Sequence, residues 1–149
     1  MNTVNIGNYR EHNLYPKVVW ATARLLMETD EISPVTILVQ MGNLTPKDVE
    51  SWRRGNVPYL ERVFQGSLSK ANRILRLIGF HAHDLNMVPT QHVYRQRGSN
   101  KRLRFSKSGT VGIEARYSRH FRWNQSSGKK LKLIEKTMSE PVTGHDAQS

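Results

Sequence analysis

None of the 149 residues is cysteine, which excludes disulfides and thiolate-bound metals. No stretch approaches the roughly 20 consecutive apolar residues of a membrane-spanning helix. The first ten residues are polar and lack the apolar segment of a secretory signal, so a cytoplasmic protein is the expectation. Glycine-rich phosphate loops and Gly-x-Ser-x-Gly nucleophile turns are also missing, which weighs modestly against a nucleotide-hydrolysing enzyme. At 37% apolar residues, the chain can build one small core only if part of it stays outside that core.

Acidic residues are scarce in one part of the chain. Residues 1–50 carry four Lys/Arg and six Asp/Glu, whereas residues 51–149 carry 19 and six. Between Arg95 and Lys132 twelve basic residues are opposed by Glu114 alone. A one-sided excess of this kind is the footprint of a polyanion-binding surface. The plainer alternative is a solvated basic stretch with no specific partner.

Start and stop residues divide the first half into helices. Residues 1–14 have no periodicity and read as a flexible arm. Lys17 to Thr29 carries an apolar stripe of Val18, Val19, Ala23, Leu25 and Leu26, and Asp30-Glu31 breaks it. Ser33-Pro34 opens a helix to Met41, closed by Gly42. Thr45-Pro46 repeats the device for a helix to Arg54, with Asp48 three residues after the cap and Gly55 at the end. A further helix is expected from Pro58 to Gln65. The longest, capped by Ser67 or Ser69, runs to about Leu85, with Gly79 either inside it or ending it.

Beyond Pro89 the pattern changes. His92–Arg97 and Lys101–Lys107 flank Gly98-Ser99-Asn100, the pattern of a hairpin loop. Period two places Leu103 and Phe105 on one face and Arg102 and Arg104 on the other. Ile113, Tyr117 and Phe121 fit a short helix, with a strand as the alternative for Arg119 to Trp123. Residues 124–149 read as a flexible basic and polar tail, with a frayed helix at Lys129–Met138 as the only order. The expected fold is mainly α (α+β): a helical domain at 15–88, then a basic hairpin and short helix packed on it at 89–123.

The stretch Ile37–Phe64, with Gly42, Thr45, Trp52, Gly55, Pro58 and Leu60 at its turning points, resembles the Cro/repressor-like helix-turn-helix family. The resemblance covers about 30 residues. It implies that Thr45, Lys47, Asp48 and Ser51 approach base edges and that Arg53 and Arg54 meet phosphates. Asp48 and Glu50 depart from that pattern, because acidic charge on the groove-facing helix opposes phosphate. A structural three-helix bundle is the other reading. The segments W-R-R-G-N-V-P-Y-L-E-R-V, L-S-K-A-N-R-I-L-R-L-I, L-R-F-S-K-S-G and Y-S-R-H-F resemble an uncharacterised bacterial protein family over about residues 15–123. That resemblance implies one unit of helices plus basic C-terminal portion and no particular activity.

The expected function is sequence-specific or semi-specific binding of double-stranded DNA, of regulatory type. Besides the helix, its expected contacts are Arg95, Arg97, Lys101, Arg102, Arg104 and Lys107 on the hairpin and Arg119 and Arg122 beyond it. RNA binding is the alternative, with Tyr94, Phe105 and Trp123 stacking on unpaired bases. A small nuclease using His83 or His120 is another, and a protein-interaction module a third. His81, His83, Asp84, His92 and His120 invite a metal reading. On a helix, however, His81 and His83 point about 200° apart. No metal ligand set and no cofactor is therefore assigned. Helix-turn-helix proteins commonly dimerise on two-fold sites, which makes a homodimer compatible with the reading.

Overall fold

Side-chain caps fix the helices that the sequence marks most clearly. The computed structural model describes residues 4–140. In it α1 spans Tyr15–Leu26, α2 Pro34–Met41, α3 Pro46–Arg53 and α4 Leu68–Asp84. Ser33 Oγ accepts from the Thr36 amide at 3.1 Å while Thr36 Oγ1 accepts from the Ser33 amide at 3.1 Å, a reciprocal cap on α2. Gly42 closes α2 at φ +86, where a Cβ would be strained. Thr45 Oγ1 receives the Asp48 amide at 3.1 Å and so starts α3. Ser67 caps α4, and Gly79 lies inside that helix.

The remaining elements are β1 Glu31–Ile32, β2 Val88–Gln91, α5 Val111–Tyr117, β3 Arg119–Arg122 and α6 Ser127–Ser139. The strands form an antiparallel sheet in the order β1-β3-β2. Glu31 pairs with Arg122, Ile32 and Pro89 with Phe121, and Thr90 with His120. Pro89 is tolerated because β2 is an edge strand. The fold is mainly α with this small sheet, as the composition of elements in the sequence implies. One core of Val18, Leu26, Ile37, Leu38, Trp52, Leu60, Ile74 and Ile78 extends to Phe105, Tyr117 and Phe121.

Four expectations are corrected. The 1–14 arm is docked over the residues described: Val4, Tyr9 and Leu14 are buried. Tyr9 stacks on Phe80 at 4.7 Å and donates its hydroxyl to Asp84 at 2.6 Å. The expected tail contains α6, capped by Ser126 and laid against α1, with Leu133 and Ile134 on the core and Lys130 Nζ 2.7 Å from Asp30. Residues 141–149, the rest of that expected tail, lie outside the described residues. Pro58–Gln65 is not an α-helix but a 3₁₀ turn at Leu60–Val63. Its first amides pair instead with the carbonyls of Arg104 (3.2 Å) and Phe105 (2.8 Å).

The hairpin shrinks to a single bridge, Arg95 to Arg102. Gln96 N to Lys101 O and Leu103 N to Tyr94 O, each 2.8 Å, complete it. A longer ladder is prevented because the flanking groups bond to helices: Arg97 N donates to Arg53 O at 2.9 Å, and Arg104 O is taken by Trp52 Nε1 and Leu60 N.

Candidate functional site

The bonds that shorten the hairpin join it to α3. Trp52 is fully buried and packs on Tyr94 and Phe105. The Arg53 guanidinium lies over the Tyr94 ring, 5.0 Å from its centroid. Glu50 receives Arg97 through Nε at 2.9 Å and Nη2 at 2.9 Å, and Arg54 through Nε at 3.0 Å. These two arginines hold the Glu50 carboxyl below its usual range. Of the two acids that argued against phosphate approach, Glu50 is therefore paired and ties helix and hairpin into one surface, while Asp48 stays half-buried in the first turn of α3.

Exposed around this junction are Lys47, Arg54, Arg95, Arg97, Lys101 and Arg102. Arg95 donates to Asn100 O at 2.7 Å, which closes the loop beneath it. Ser51 and Arg53 are half-buried beside them. Thr45 is at the edge, its hydroxyl occupied as the α3 cap.

Other expected contacts are placed elsewhere. Arg104 turns back on its own backbone, donating to Ser106 O at 2.7 Å and to Lys107 O, with its guanidinium over Tyr59. It braces the chain while remaining exposed. Lys107 is exposed while its amide is held by Glu61 at 2.8 Å. Arg119 points to the opposite face of the sheet from His120. There it lines an apolar cleft of about 440 Å³ with Arg76, Arg116 and His83. Burial, and the charges of Arg76 and Arg119, lower the affinity of Arg116 for its proton. His83 is exposed on α4 beside that cleft, apart from the other histidines considered.

No protein-family model, curated protein or solved structure matches the chain.

Alternation along the strands gathers a second group that sequence reasoning missed. Glu31 on β1, Thr90 on β2, and His120 and Arg122 on β3 share one face of the sheet, and His92 extends the β2 row. His120 Nδ1 lies 2.8 Å from Glu31 Oε2, and His92 Nε2 lies 3.6 Å from the same oxygen. The other nitrogen of His120 meets the Tyr94 hydroxyl at 2.6 Å. Burial lowers the His120 pKa against the opposing pull of Glu31, which favours the neutral ring. One tautomer satisfies all three groups: Nδ1–H donates to Glu31 and Nε2 accepts from Tyr94. The usable signal was Thr90-Gln91-His92 and His120-Phe121-Arg122 at period two, not the helical His81/His83 pair.

His81 has a different role. It is buried on α4, with Nδ1 3.1 Å from the Tyr15 hydroxyl, and burial pushes its pKa down to about 4 against the opposing charge of Asp84. Above pH 6.5 the ring is neutral folded or unfolded and contributes no pH dependence. As pH falls from 6.5 to about 4 the unfolded chain binds the proton first, so stability is lost across that window. Denaturant unfolding between pH 7 and 4 is expected to show a loss of about 2–3 kcal/mol, largely absent in His81→Gln.

Proposed function

We propose that the protein binds double-stranded nucleic acid, duplex DNA in preference to RNA, through the face built by α3 and residues 95–102. The observation that carries this is the Glu50 junction. It pairs Glu50, one of the two acids of α3, and ties Arg54 and Arg97 together on the face that also exposes Lys47, Arg95, Lys101 and Arg102. A helix-turn-helix reading then has α3 approaching a groove and the hairpin gripping the phosphates alongside. A cytoplasmic protein of regulatory type fits this reading, and a homodimer would present two such faces to a two-fold site. No helix among the described residues is long and apolar enough to cross a membrane.

The aromatic residues favour duplex over single-stranded RNA. Phe105 and Trp123 are buried, and the Tyr94 ring is enclosed by Trp52, Phe105 and Arg53, so none offers a free stacking face.

The test is the salt dependence of affinity for a short duplex, read by fluorescence anisotropy. Log affinity against log salt is expected to be steep, at about −0.9 per phosphate neutralised. Changing Arg95, Lys101 and Arg102 together to alanine should flatten the slope by about 2–3. All three are exposed, so the fold is retained. Lys47→Ala should alter sequence preference. No affinity at low salt, or a slope indifferent to the triple change, would overturn the proposal.

A further inference from the structure

We propose that Glu31, His92 and His120 form a binding site for a divalent first-row transition ion of the zinc class. The inference stands on geometry and is independent of nucleic-acid binding. The three residues come from segments far apart in sequence, brought together by the β1-β3-β2 order of the sheet. One carboxylate oxygen and two imidazole nitrogens lie within 4.8 Å of one another. A tetrahedral zinc site with bonds of about 2.0–2.2 Å sets its ligand atoms about 3.4 Å apart. The separations of Glu31 Oε2 from His120 Nδ1 and His92 Nε2, 2.8 and 3.6 Å, bracket that value.

The donor set selects the ion. Two neutral nitrogens and one carboxylate suit zinc, cobalt, nickel or copper, and are poor in the oxygens that magnesium and calcium require. The side chains of Glu31 and His92 are each 39% exposed and that of His120 15%, so an ion enters from solvent. Three protein ligands leave a position for water, the arrangement of reactive zinc sites and not of closed structural ones.

An outer partner is also in place. The Tyr94 hydroxyl, 2.6 Å from His120 Nε2, accepts a hydrogen bond from Nε2–H once Nδ1 is committed to the ion. The change is a shift of tautomer, with no proton lost from the ring. Thr90 Oγ1 bonds His92 Nε2 at 3.1 Å, a contact that is given up when that nitrogen meets the ion. The two rings are stacked at 3.7 Å and 18°. A lone pair lies in its ring plane, so the rings must splay for both to meet one ion. Binding therefore replaces the stack.

Untagged full-length protein titrated with zinc, cobalt and magnesium salts in a calorimeter tests this. One ion per chain is expected, zinc tighter than cobalt, with no magnesium binding. The cobalt form should show the visible bands of a four-coordinate ion. His92→Ala and Glu31→Gln, both at half-exposed positions, should each weaken zinc more than about 100-fold. Tyr94→Phe should weaken it about 10-fold, the loss expected of an outer partner. Far-UV circular dichroism confirms that each variant is folded. Zinc binding unchanged by both His92→Ala and Glu31→Gln, or no stoichiometric binding by the unaltered chain, would overturn the assignment.

Discussion

Trp52→Ala is expected to cost about 4 kcal/mol of unfolding free energy, a large share of the 5–15 kcal/mol typical of a domain. The side chain is fully buried, so truncation leaves a cavity between α3 and the hairpin. Its Nε1 donates to Arg104 O at 2.8 Å, and its ring packs 5.0 Å from Phe105 and 5.7 Å from Tyr94. Alanine removes both the packing and the bond, while Trp52→Phe keeps most of the packing and should cost about 1–2 kcal/mol. Denaturant unfolding followed by far-UV circular dichroism separates them. A cost below about 1 kcal/mol for alanine would show that α3 and the hairpin are not joined through this ring. The same contact orders the proposed binding face. Where Trp52→Phe remains folded it should retain duplex affinity, because Arg97 still bonds to Glu50 and Arg53.

How much could be read beforehand depended on how local the determinants were. The bounds of α2 and α4 were legible within a residue or so because Ser33, Gly42 and Ser67 act on backbone groups two or three positions away. The docked N-terminal segment was not legible. Val4, Tyr9 and Leu14 follow no helical or strand period, and the partners of Tyr9, Phe80 and Asp84, are more than 70 residues distant. In α6 the apolar residues are few against many lysines, and only the uncovered side of α1 makes the helix worth ordering.

The site divides in the same way. The basic run was visible by counting, and the structure adds how its charges are held: Lys101 and Arg102 exposed, Arg95 exposed with a bond to Asn100 O, and Arg104 turned onto the carbonyls of Ser106 and Lys107. The Glu31–His92–His120 group was legible only in part: Thr90–His92 and His120–Arg122 alternate, but a two-residue strand shows too little of the period to join Glu31 to them. Their pairing is set by helices packed on either side, so 31, 92 and 120 meet only in three dimensions. Asp30-Glu31 looked like a break because a two-residue strand and a break read alike.

The single acid within the basic run did carry a signal. Glu114→Ala is expected to cost about 3–4 kcal/mol, the second large effect in this fold. Its carboxylate accepts the Phe105 amide at 3.0 Å, the Ser106 amide at 2.7 Å and the Ser106 hydroxyl at 2.5 Å. The next amide, Lys107, goes to Glu61 at 2.8 Å, and Glu61 also receives the Tyr117 hydroxyl at 2.8 Å. Burial and the Glu61 charge push the Tyr117 pKa well up, which keeps its proton in that bond. Three successive amides thus end on two carboxylates, and Ser106 is fully buried between them. Glu114 stands in the first turn of α5, where a negative charge is favoured by the helix dipole. Alanine strands three donors. Glutamine restores one acceptor but turns an amide group toward the remaining donors, at an expected cost of about 2 kcal/mol. A double-mutant cycle of Glu61→Gln with Glu114→Gln should show coupling of about 1 kcal/mol, because both brace the one segment Phe105–Lys107. The salt slope for duplex binding should remain unchanged in Glu114→Gln, since the hairpin tip is held from the other side by Glu50. A slope that falls with Glu114→Gln would instead place the binding charges at Lys107 and beyond, and move the proposed interface away from α3.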